Sequence, residues 1–309
     1  MALDGIVISN IVSELSDALI GGRIDKIYQP EKDELLLSVR NQKDAYKLFL
    51  TANSNYPRIH FTTRVKNSSQ TPPMFCMLLR KHLSSGRIMS ITQPHYDRIV
   101  EMEIEATNEL GDRENKKLII EMMGRHSNII LTKADGTIID SIKHISSAQS
   151  SMREVLPGRT YFYPNNQVKL NPSALHLDSF ITHIKAQSLP TFKALYTVYA
   201  GISPLLGHAL CHEAGIESAT LVENLDDKAL HRLFTALSNL MEKVHAKAYS
   251  PTLFVDHEDH PLEFYSFPLS TEYTHAKTYS TLSELLEFYY YEQSSKSVVL
   301  SLIHISEPT

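Results

Sequence analysis

The stretch LIIEMMGRHSNIIL, residues 118–131, places two apolar runs on either side of a polar interruption. The first apolar run ends at Met123. Five residues that are not apolar follow, and the second apolar run begins directly after them with Ile129. Gly124 adopts positive φ without steric cost, so the chain can turn sharply there. We therefore predict a β-hairpin, with strands over 116–123 and 128–133.

The polar residues of this interruption have two interpretations. Arg125, His126 and Asn128 are either solvated residues of an ordinary turn or a polar site at the edge of a sheet. A second polar landmark, residues 96–98 (Tyr-Asp-Arg), stands at the entrance to the preceding predicted strand, 98–106. This second landmark is the reason why the interpretation as a polar site matters, and the ordinary turn remains the alternative that the pattern alone favours.

Asp97 and Arg98 can act together only if the chain departs from regular strand geometry. Successive side chains of a strand point to opposite faces, so the two would otherwise diverge. Joint action requires a bend or bulge over 96–98. The alternative is an edge salt bridge that ties two strands together.

The sequence on either side of this hairpin, in the first half of the chain, predicts a β-rich unit with two helices. The first helix begins after Asp4 as N-cap and stops at Gly21-Gly22. The second spans 74–83. Further strands are predicted over 23–28, 34–39, 45–50, 58–62, 87–93 and 137–145.

From about residue 171 the pattern becomes helical, after a Pro/Gly/Asn-rich boundary at 157–166. Pro172 is predicted to start a helix, and a second one covers 192–199. Gly201, Ser203 and Pro204 then suit a tight turn, an N-cap and a first helical position, which is typical of a helix-hairpin-helix. A helix start of this kind can hold a phosphate. A long helix (228–247), a small hairpin (253–256 and 262–267) and a helix from 281 to 292 follow.

Composition excludes several classes of function. The 309 residues have a formal charge of −5 and contain no run of about 20 apolar residues or signal peptide, so we expect a cytoplasmic protein without membrane association. Cys76 and Cys211 form neither a disulfide framework nor a thiolate zinc site. His208 and His212 share a helix face without a clear third ligand, and phosphate-loop and nucleophile-elbow motifs are absent. We expect no metal and no cofactor.

Charge is segregated along the chain. No Asp or Glu occurs between Asp44 and Asp97, whereas seven cations do: Lys47, Arg58, Arg64, Lys66, Arg80, Lys81 and Arg87. A positive surface of this kind binds phosphate even on an acidic protein, although clustering on a solvated face is an equal alternative. Residues 300–309 resemble translated sequencing-adapter sequence and are predicted to be a non-native tail that leaves the last helix.

Three separated motifs resemble those of the NFACT family: residues 2–5 (Ala-Leu-Asp-Gly), 96–98, and 121–128 (Glu-Met-Met-Gly-Arg-His-Ser-Asn). The resemblance covers about 1–295. It implies an α+β fold, with an NFACT-N β-rich domain over 1–170 that is similar to the N-terminal fold of glycosylases. A helix-hairpin-helix over 171–225 and, over 226–295, a helix, a small hairpin and the start of a coiled-coil arm would follow.

The bacterial members of this family are ribosome quality control factors, long described as fibronectin-binding proteins. The resemblance implies a protein that binds a stalled large ribosomal subunit and its rRNA with peptidyl-tRNA, and recruits alanyl-tRNA for untemplated alanine tailing. The ribosome performs the chemistry, so the protein itself need not be an enzyme. The tRNA-binding residues implied are Asp97, Arg98, Asp4, Arg125, His126 and Asn128.

Two rival functions belong to other classes. A DNA glycosylase of the formamidopyrimidine type needs an N-terminal proline nucleophile and a four-cysteine zinc finger, whereas this chain begins Met-Ala-Leu-Asp and has two cysteines. A surface adhesin that binds fibronectin or fibrinogen is the main alternative. The absence of a signal peptide and of an anchoring motif argues against it as the primary role.

Overall fold

A computed structural model describes residues 3–68, 71–164 and 168–305, with side chains described as far as Lys296. A large antiparallel sheet dominates the fold. Its strands are β1 (Arg23–Tyr28), β2 (Glu34–Asn41), β3 (Asp44–Thr51), β4 (Arg58–Phe61), β5 (Arg87–Thr92), β6 (Ile99–Thr107), β7 (Arg113–Glu121), β8 (Asn128–Lys133) and β9 (Ile138–Ser141). Their order is β4-β3-β2-β1-β5-β6-β7-β8-β9.

The hairpin predicted from residues 118–131 is confirmed as β7 and β8. Glu121 pairs with Asn128, and Gly124 has φ +56°. Side chains alternate between the two faces of the sheet: Leu118 and Ile120 join the main core, while Ile119 joins a smaller cluster on the other face. Both faces are therefore covered, which explains why the two runs are continuously apolar.

Seven helices accompany the sheets in the described residues. They are α1 (Gly5–Leu19), α2 (Met74–Leu83), α3 (Leu177–Lys185), α4 (Thr191–Val198), α5 (Pro204–Glu213), α6 (Asp227–His245) and α7 (Leu282–Ile305). α1 lies against the main sheet, and its buried face carries Ile8, Ile11, Leu15 and Leu19. The predicted N-cap Asp4 is confirmed. No helix among the residues that the structure describes is both long and apolar enough to cross a membrane.

A second, three-stranded antiparallel sheet consists of β10 (Thr252–Val255), β11 (Pro261–Tyr265) and β12 (His275–Thr278), with β10 in the centre. β12 was not predicted because all four of its residues are exposed, so no apolar alternation marks it. The two sheets and the helices share one continuous apolar core.

Three local predictions were wrong. The helix expected at Pro172 begins instead at Leu177, because the Asn171 side chain accepts the Ser173 N–H (2.8 Å) and forms a local turn. β9 ends at Ser141, well before residue 145. The last helix continues to Ile305, so residues 301–305 do not leave it, while 306–309 lie outside the described residues.

The positive segment of the sequence does not form a purely positive surface. Several of its cations pair with carboxylates from distant parts of the chain, namely Lys66 with Glu34, Arg64 with Glu287 and Lys81 with Glu109. Folding therefore mixes charges that the sequence separates.

Candidate functional site

Joint action of Asp97 and Arg98 requires a bend or bulge over 96–98, and the chain bends directly before Asp97. Pro94–Tyr96 form a short 3-10 turn between β5 and β6, and both His95 and Tyr96 have φ +53°. Left-handed backbone costs a non-glycine residue about 1–2 kcal/mol. Two such residues in succession persist only where the surrounding structure holds them, and they are typical of functional sites.

Hydrogen bonds from neighbouring segments hold this bend in place. The Gln93 side-chain amide donates to the carbonyls of Gly5 (2.7 Å) and Asp97 (2.8 Å). The Tyr96 hydroxyl lies 2.7 Å from the Ser173 hydroxyl. The bend is thus fastened both to the start of α1 and to the segment before α3.

Three backbone segments meet at this point at unusually short range. A Cβ atom on Gly5 would lie 1.9 Å from the Tyr96 carbonyl oxygen and 2.5 Å from the Gly201 Cα atom. Gly201 itself has φ +81° and faces Tyr96. Only glycine at position 5 permits the start of α1, the bend and the turn before α5 to come together.

Asp4 joins the same three-way junction from inside. One carboxylate oxygen accepts the N–H groups of Ile6 and Val7 (both 3.0 Å), and the other accepts the hydroxyls of Ser203 (2.7 Å) and Tyr265 (2.8 Å). The side chain is buried. Asp4 was predicted to bind tRNA, which stays a prediction; its internal bonds fasten α1 to the N-cap of α5 and to β11.

Burial raises the pKa of Asp4 to about 6, although four hydrogen bonds oppose the shift. Because the folded state then holds a proton that the unfolded chain has lost, the free energy of unfolding falls as pH rises through the interval between 3.8 and about 6. We expect this one group to remove about 2–3 kcal/mol across the interval.

Asp4→Asn tests this assignment, because asparagine keeps the shape of the side chain and does not titrate. Urea unfolding at about pH 4 and about pH 7 should show a smaller decline for the variant than for the wild type, by about 2–3 kcal/mol. Equal declines in the two proteins would show that Asp4 keeps an ordinary pKa.

A cleft of about 630 Å³ opens at the junction. The start of α1, the bend and the start of α5 form its walls, and Asp97, Arg98, Lys169 and Tyr163 line it. α1 and α5 both point their N-termini toward this space, and helix N-termini carry partial positive charge. Together with two cationic side chains, they create a setting that attracts anions.

Asp97 and Arg98 are half-buried at the mouth of the cleft. The Asp97 carboxylate accepts the backbone N–H of Arg98 (2.7 Å), which fixes its orientation. Lys169 donates to the Tyr196 carbonyl (2.6 Å), and partial burial lowers its pKa, an effect that Asp97 opposes and Arg98 increases. The charges of Asp97 and Arg98 therefore both act on Lys169 within one cleft.

The residues predicted from the 124–128 turn do not line the cleft. Arg125 and His126 are exposed on the turn, with Arg125 Nε 3.1 Å from His126 Nε2. The turn and the bend nevertheless share one end of the sheet, since the Met122 N–H donates to the Arg98 carbonyl (2.9 Å). Arg125 and His126 are thus positioned as outer neighbours of the cleft.

Asn128 is buried, and its amide is engaged internally. It donates to the Lys143 carbonyl (2.9 Å) and accepts the N–H groups of Lys143 (3.1 Å) and Ile129 (2.9 Å). These bonds replace the strand ladder where β9 ends. Asn128 was predicted to bind tRNA, which stays a prediction; the hydrogen bonds seen here join the start of β8 to the segment after β9.

Sequence reasoning missed a buried carboxylate beside the bend. Glu121 is fully buried at the end of β7, where it accepts from Arg153 (2.5 Å) and from the Tyr161 hydroxyl (2.8 Å). Burial raises its pKa, and the charge of Asp97 adds to the shift. A single acidic residue within the apolar run 118–123 was the available signal.

Aromatic side chains form the outer wall of the cleft. The rings of Tyr163 and His95 meet edge to face with centroids 6.0 Å apart, and the Tyr163 hydroxyl donates to Glu101 (2.7 Å). Sequence reasoning overlooked Tyr163 because it lies in an irregular segment. Within the described ranges, no cluster of three or more His, Cys, Asp or Glu residues could hold a metal ion.

Comparison with known proteins identifies related chains. The family model described as NFACT N-terminal and middle domains matches residues 4–304. The Rqc2 homolog RqcH of Bacillus subtilis is 36% identical over 301 residues, which are 97% of this chain and 50% of that protein. The ribosome quality control complex subunit NEMF of Homo sapiens is 27% identical over 231 residues, 74% of this chain and 20% of its own length. This chain thus spans half or less of these relatives.

A solved structure shares the fold. The fibrinogen binding protein from Staphylococcus aureus superposes with a TM-score of 0.80 at 30% identity, covering 94% of this chain and 99% of the other. The mixed α/β architecture with a large antiparallel sheet is therefore common to both.

Proposed function

The chain belongs to the family of NFACT N-terminal and middle domains, and on that premise we propose that it acts in ribosome quality control. In this proposal the whole protein binds a stalled large ribosomal subunit carrying peptidyl-tRNA and recruits alanyl-tRNA for untemplated alanine tailing. The names of the relatives RqcH and NEMF support the role. The chain spans half of the Bacillus subtilis relative, so it carries only part of this function. We propose that this part is the contact with tRNA.

The cleft at the bend carries this assignment. Arg98 can direct two N–H donors to a phosphate or a base edge. Asp97 can accept a hydrogen bond from a ribose 2′-hydroxyl or an exocyclic amine. Lys169 and the starts of α1 and α5 add positive charge for the backbone phosphates.

The other predicted residues either contact RNA directly or position the residues that do. Arg125 and His126 contact RNA from the rim, because they are exposed at the same end of the sheet. Asp4 and Asn128 position the binding residues from inside. Tyr163 offers an aromatic face on which an unpaired base can stack.

The finer architecture belongs to the same proposal. α4, the turn at Gly201 and α5 form the helix-hairpin-helix within 171–225, and α7 begins the coiled-coil arm. The first domain, 1–170, corresponds to the glycosylase-like NFACT-N unit. In this proposal the protein works in the cytoplasm and needs no cofactor. It acts as a binding factor, since the ribosome itself forms the peptide bonds. The rRNA of the large subunit is its second partner.

Co-sedimentation tests the proposal. Large subunits that carry peptidyl-tRNA, and matched subunits stripped of it, are mixed with the purified chain and pelleted through sucrose. We expect several-fold more chain with the tRNA-bearing subunits, because the cleft adds phosphate and base contacts to any contact with rRNA. Equal recovery from both subunit preparations would contradict the assignment of tRNA contact to this half.

The second candidate is a fibronectin- or fibrinogen-binding adhesin. The name of the Staphylococcus aureus protein favours it. An adhesin would be recovered largely outside the cell, and it would bind immobilised fibrinogen regardless of Arg98. Cell fractionation and binding of the Arg98→Ala variant to fibrinogen separate this candidate from the ribosomal role.

A further inference from the structure

A second, smaller pocket lies far along the sheet from the cleft, at its β4 edge. It has a volume of about 180 Å³ and lies between α7 and the chain around and after β4. Three cations and three aromatic rings line it: Arg58, Arg64, Lys66, Phe49, Tyr290 and Tyr291. None of the residues of this pocket belongs to the cleft.

Arg58 is the innermost cation of the pocket. Its guanidinium lies 5.1 Å from the centroid of the Phe49 ring and 4.7 Å from that of Tyr290. Nε donates to His60 (3.0 Å) and Nη1 to the Tyr56 carbonyl (2.8 Å). Among the described residues, no carboxylate forms an ion pair with Arg58. Arg58 is half-buried, and a half-buried guanidinium without a carboxylate partner favours an anionic ligand.

The two outer cations have partners of their own. Lys66 pairs with Glu34 (2.7 Å), and Arg64 lies 3.9 Å from Glu287 while stacking 3.6 Å from the centroid of Tyr291. Burial, with the Arg58 charge nearby, lowers the pKa of His60 to about 3, so its ring is neutral. Three cations against two carboxylates leave the pocket one net positive charge.

We propose that this pocket binds one phosphodiester of a single-stranded RNA segment, with Arg58 and Arg64 on the phosphate and Tyr291 against the adjoining base. A phosphodiester carries a single negative charge, which matches the net charge of the pocket. Guanidinium groups bind phosphate through paired N–H donors, and an exposed tyrosine ring stacks on any base. The choice of RNA as the source of the phosphate rests on the proposed function.

The absence of tryptophan from the sequence permits a local test. The Tyr291→Trp variant carries a single reporter in the pocket, and tryptophan preserves the stacking on Arg64. Titration with oligouridylate RNA should change its fluorescence, with an affinity that falls as salt rises. The same oligomer with uncharged methylphosphonate linkages should bind at least about tenfold more weakly.

Charge substitutions in the Tyr291→Trp background locate the contact. Arg64→Gln should weaken RNA binding about tenfold, and Arg58→Lys should do so while retaining a positive charge at that position. Lys47→Gln is the matched control, since Lys47 is an exposed cation on β3 outside the pocket. Its isotherm should equal that of the reporter protein.

Three outcomes would overturn the proposal: a reporter that does not respond to RNA, equal effects of Arg64→Gln and Lys47→Gln, or displacement of RNA by oligoglutamate of equal charge. Arg98→Ala in the reporter background should leave the isotherm unchanged. If Arg98→Ala also leaves tRNA binding unchanged while the reporter responds, the function assigned to the cleft fails and the pocket stands. If the reporter is silent while tRNA binding depends on Arg98, the pocket fails and the function assigned to the cleft stands.

Discussion

Gly5→Ala is expected to lower the free energy of unfolding by about 3 kcal/mol, and to disrupt the cleft as it does so. In an unhindered helix the same change stabilises by up to about 1 kcal/mol, so the expected sign is opposite to that of helix propensity. The reason is the 1.9 Å separation between the new Cβ atom and the Tyr96 carbonyl oxygen. The carbonyl belongs to backbone that is already held in a left-handed conformation, so it has little freedom to move away.

Urea unfolding of the variant measures this cost, with Ser13→Ala as control. Ser13 lies on the same helix, and its replacement changes helix propensity by only a few tenths of a kcal/mol. Binding of tRNA should weaken in parallel for Gly5→Ala and remain unchanged for Ser13→Ala. A Gly5→Ala protein as stable as the wild type would mean that α1 and the bend at 94–96 are not in close contact.

Local patterns predicted most of the secondary structure. The boundaries of α2 and β8 agree with the sequence interpretation, because each element is bounded by its own turn or capping signals. Asp4 and Ser203 were both recognised as N-caps for the same reason. Such signals act over a few residues and are therefore visible in a single sequence.

The cleft could not be predicted in the same way because distant residues build it. The hydrogen bond between Ser203 and Asp4 joins residues 199 positions apart, and no local pattern connects them. Lys169 lies in an irregular segment, and its place beside Asp97 follows only from the tertiary fold. The sequence indicates a bend near Asp97 only on the condition that Asp97 and Arg98 act together, because a regular strand turns their side chains to opposite faces. No local pattern indicates the left-handed backbone of His95 and Tyr96.

The same limit applies to the different surroundings of Asp4 and Asn128. The motif resemblance groups them with Asp97 and Arg98. Sequence alone does not distinguish a residue that contacts a ligand from one that positions the contacting residue. In the structure Asp4 and Asn128 are buried, whereas Asp97 and Arg98 are half-buried. Asp4 and Asn128 each have their polar atoms engaged within the fold.

Arg98→Ala is expected to weaken tRNA binding about 10- to 100-fold, the equivalent of one or two charge-assisted hydrogen bonds to phosphate or base. The dependence of affinity on salt should become shallower by about one phosphate contact. Asp97→Asn isolates the carboxylate charge, because asparagine can still accept the Arg98 N–H and keep the bend. A weaker but clear loss is expected for it.

Arg113→Ala provides the matched control for these variants. Arg113 is exposed on β7 at the opposite end of the sheet, where it pairs with Glu105 (3.6 Å) and lies outside the cleft. Fluorescence anisotropy with labelled tRNA, measured at several salt concentrations, compares the three variants with the wild type. Thermal unfolding of the same samples shows whether any loss of binding comes from loss of structure.

The tRNA affinity and the melting temperature together show whether Asp97 and Arg98 bind tRNA or only stabilise the sheet. If Asp97 and Arg98 form only an edge interaction that stabilises the sheet, Arg98→Ala lowers the melting temperature and leaves tRNA affinity equal to that of Arg113→Ala. If the cleft binds tRNA, affinity falls while the melting temperature stays near the wild-type value, because half-buried side chains at a cleft mouth contribute little to the core. The second pattern is the expected one, since hydrogen bonds of Gln93 and Tyr96 and the close contact at Gly5 hold the bend in place.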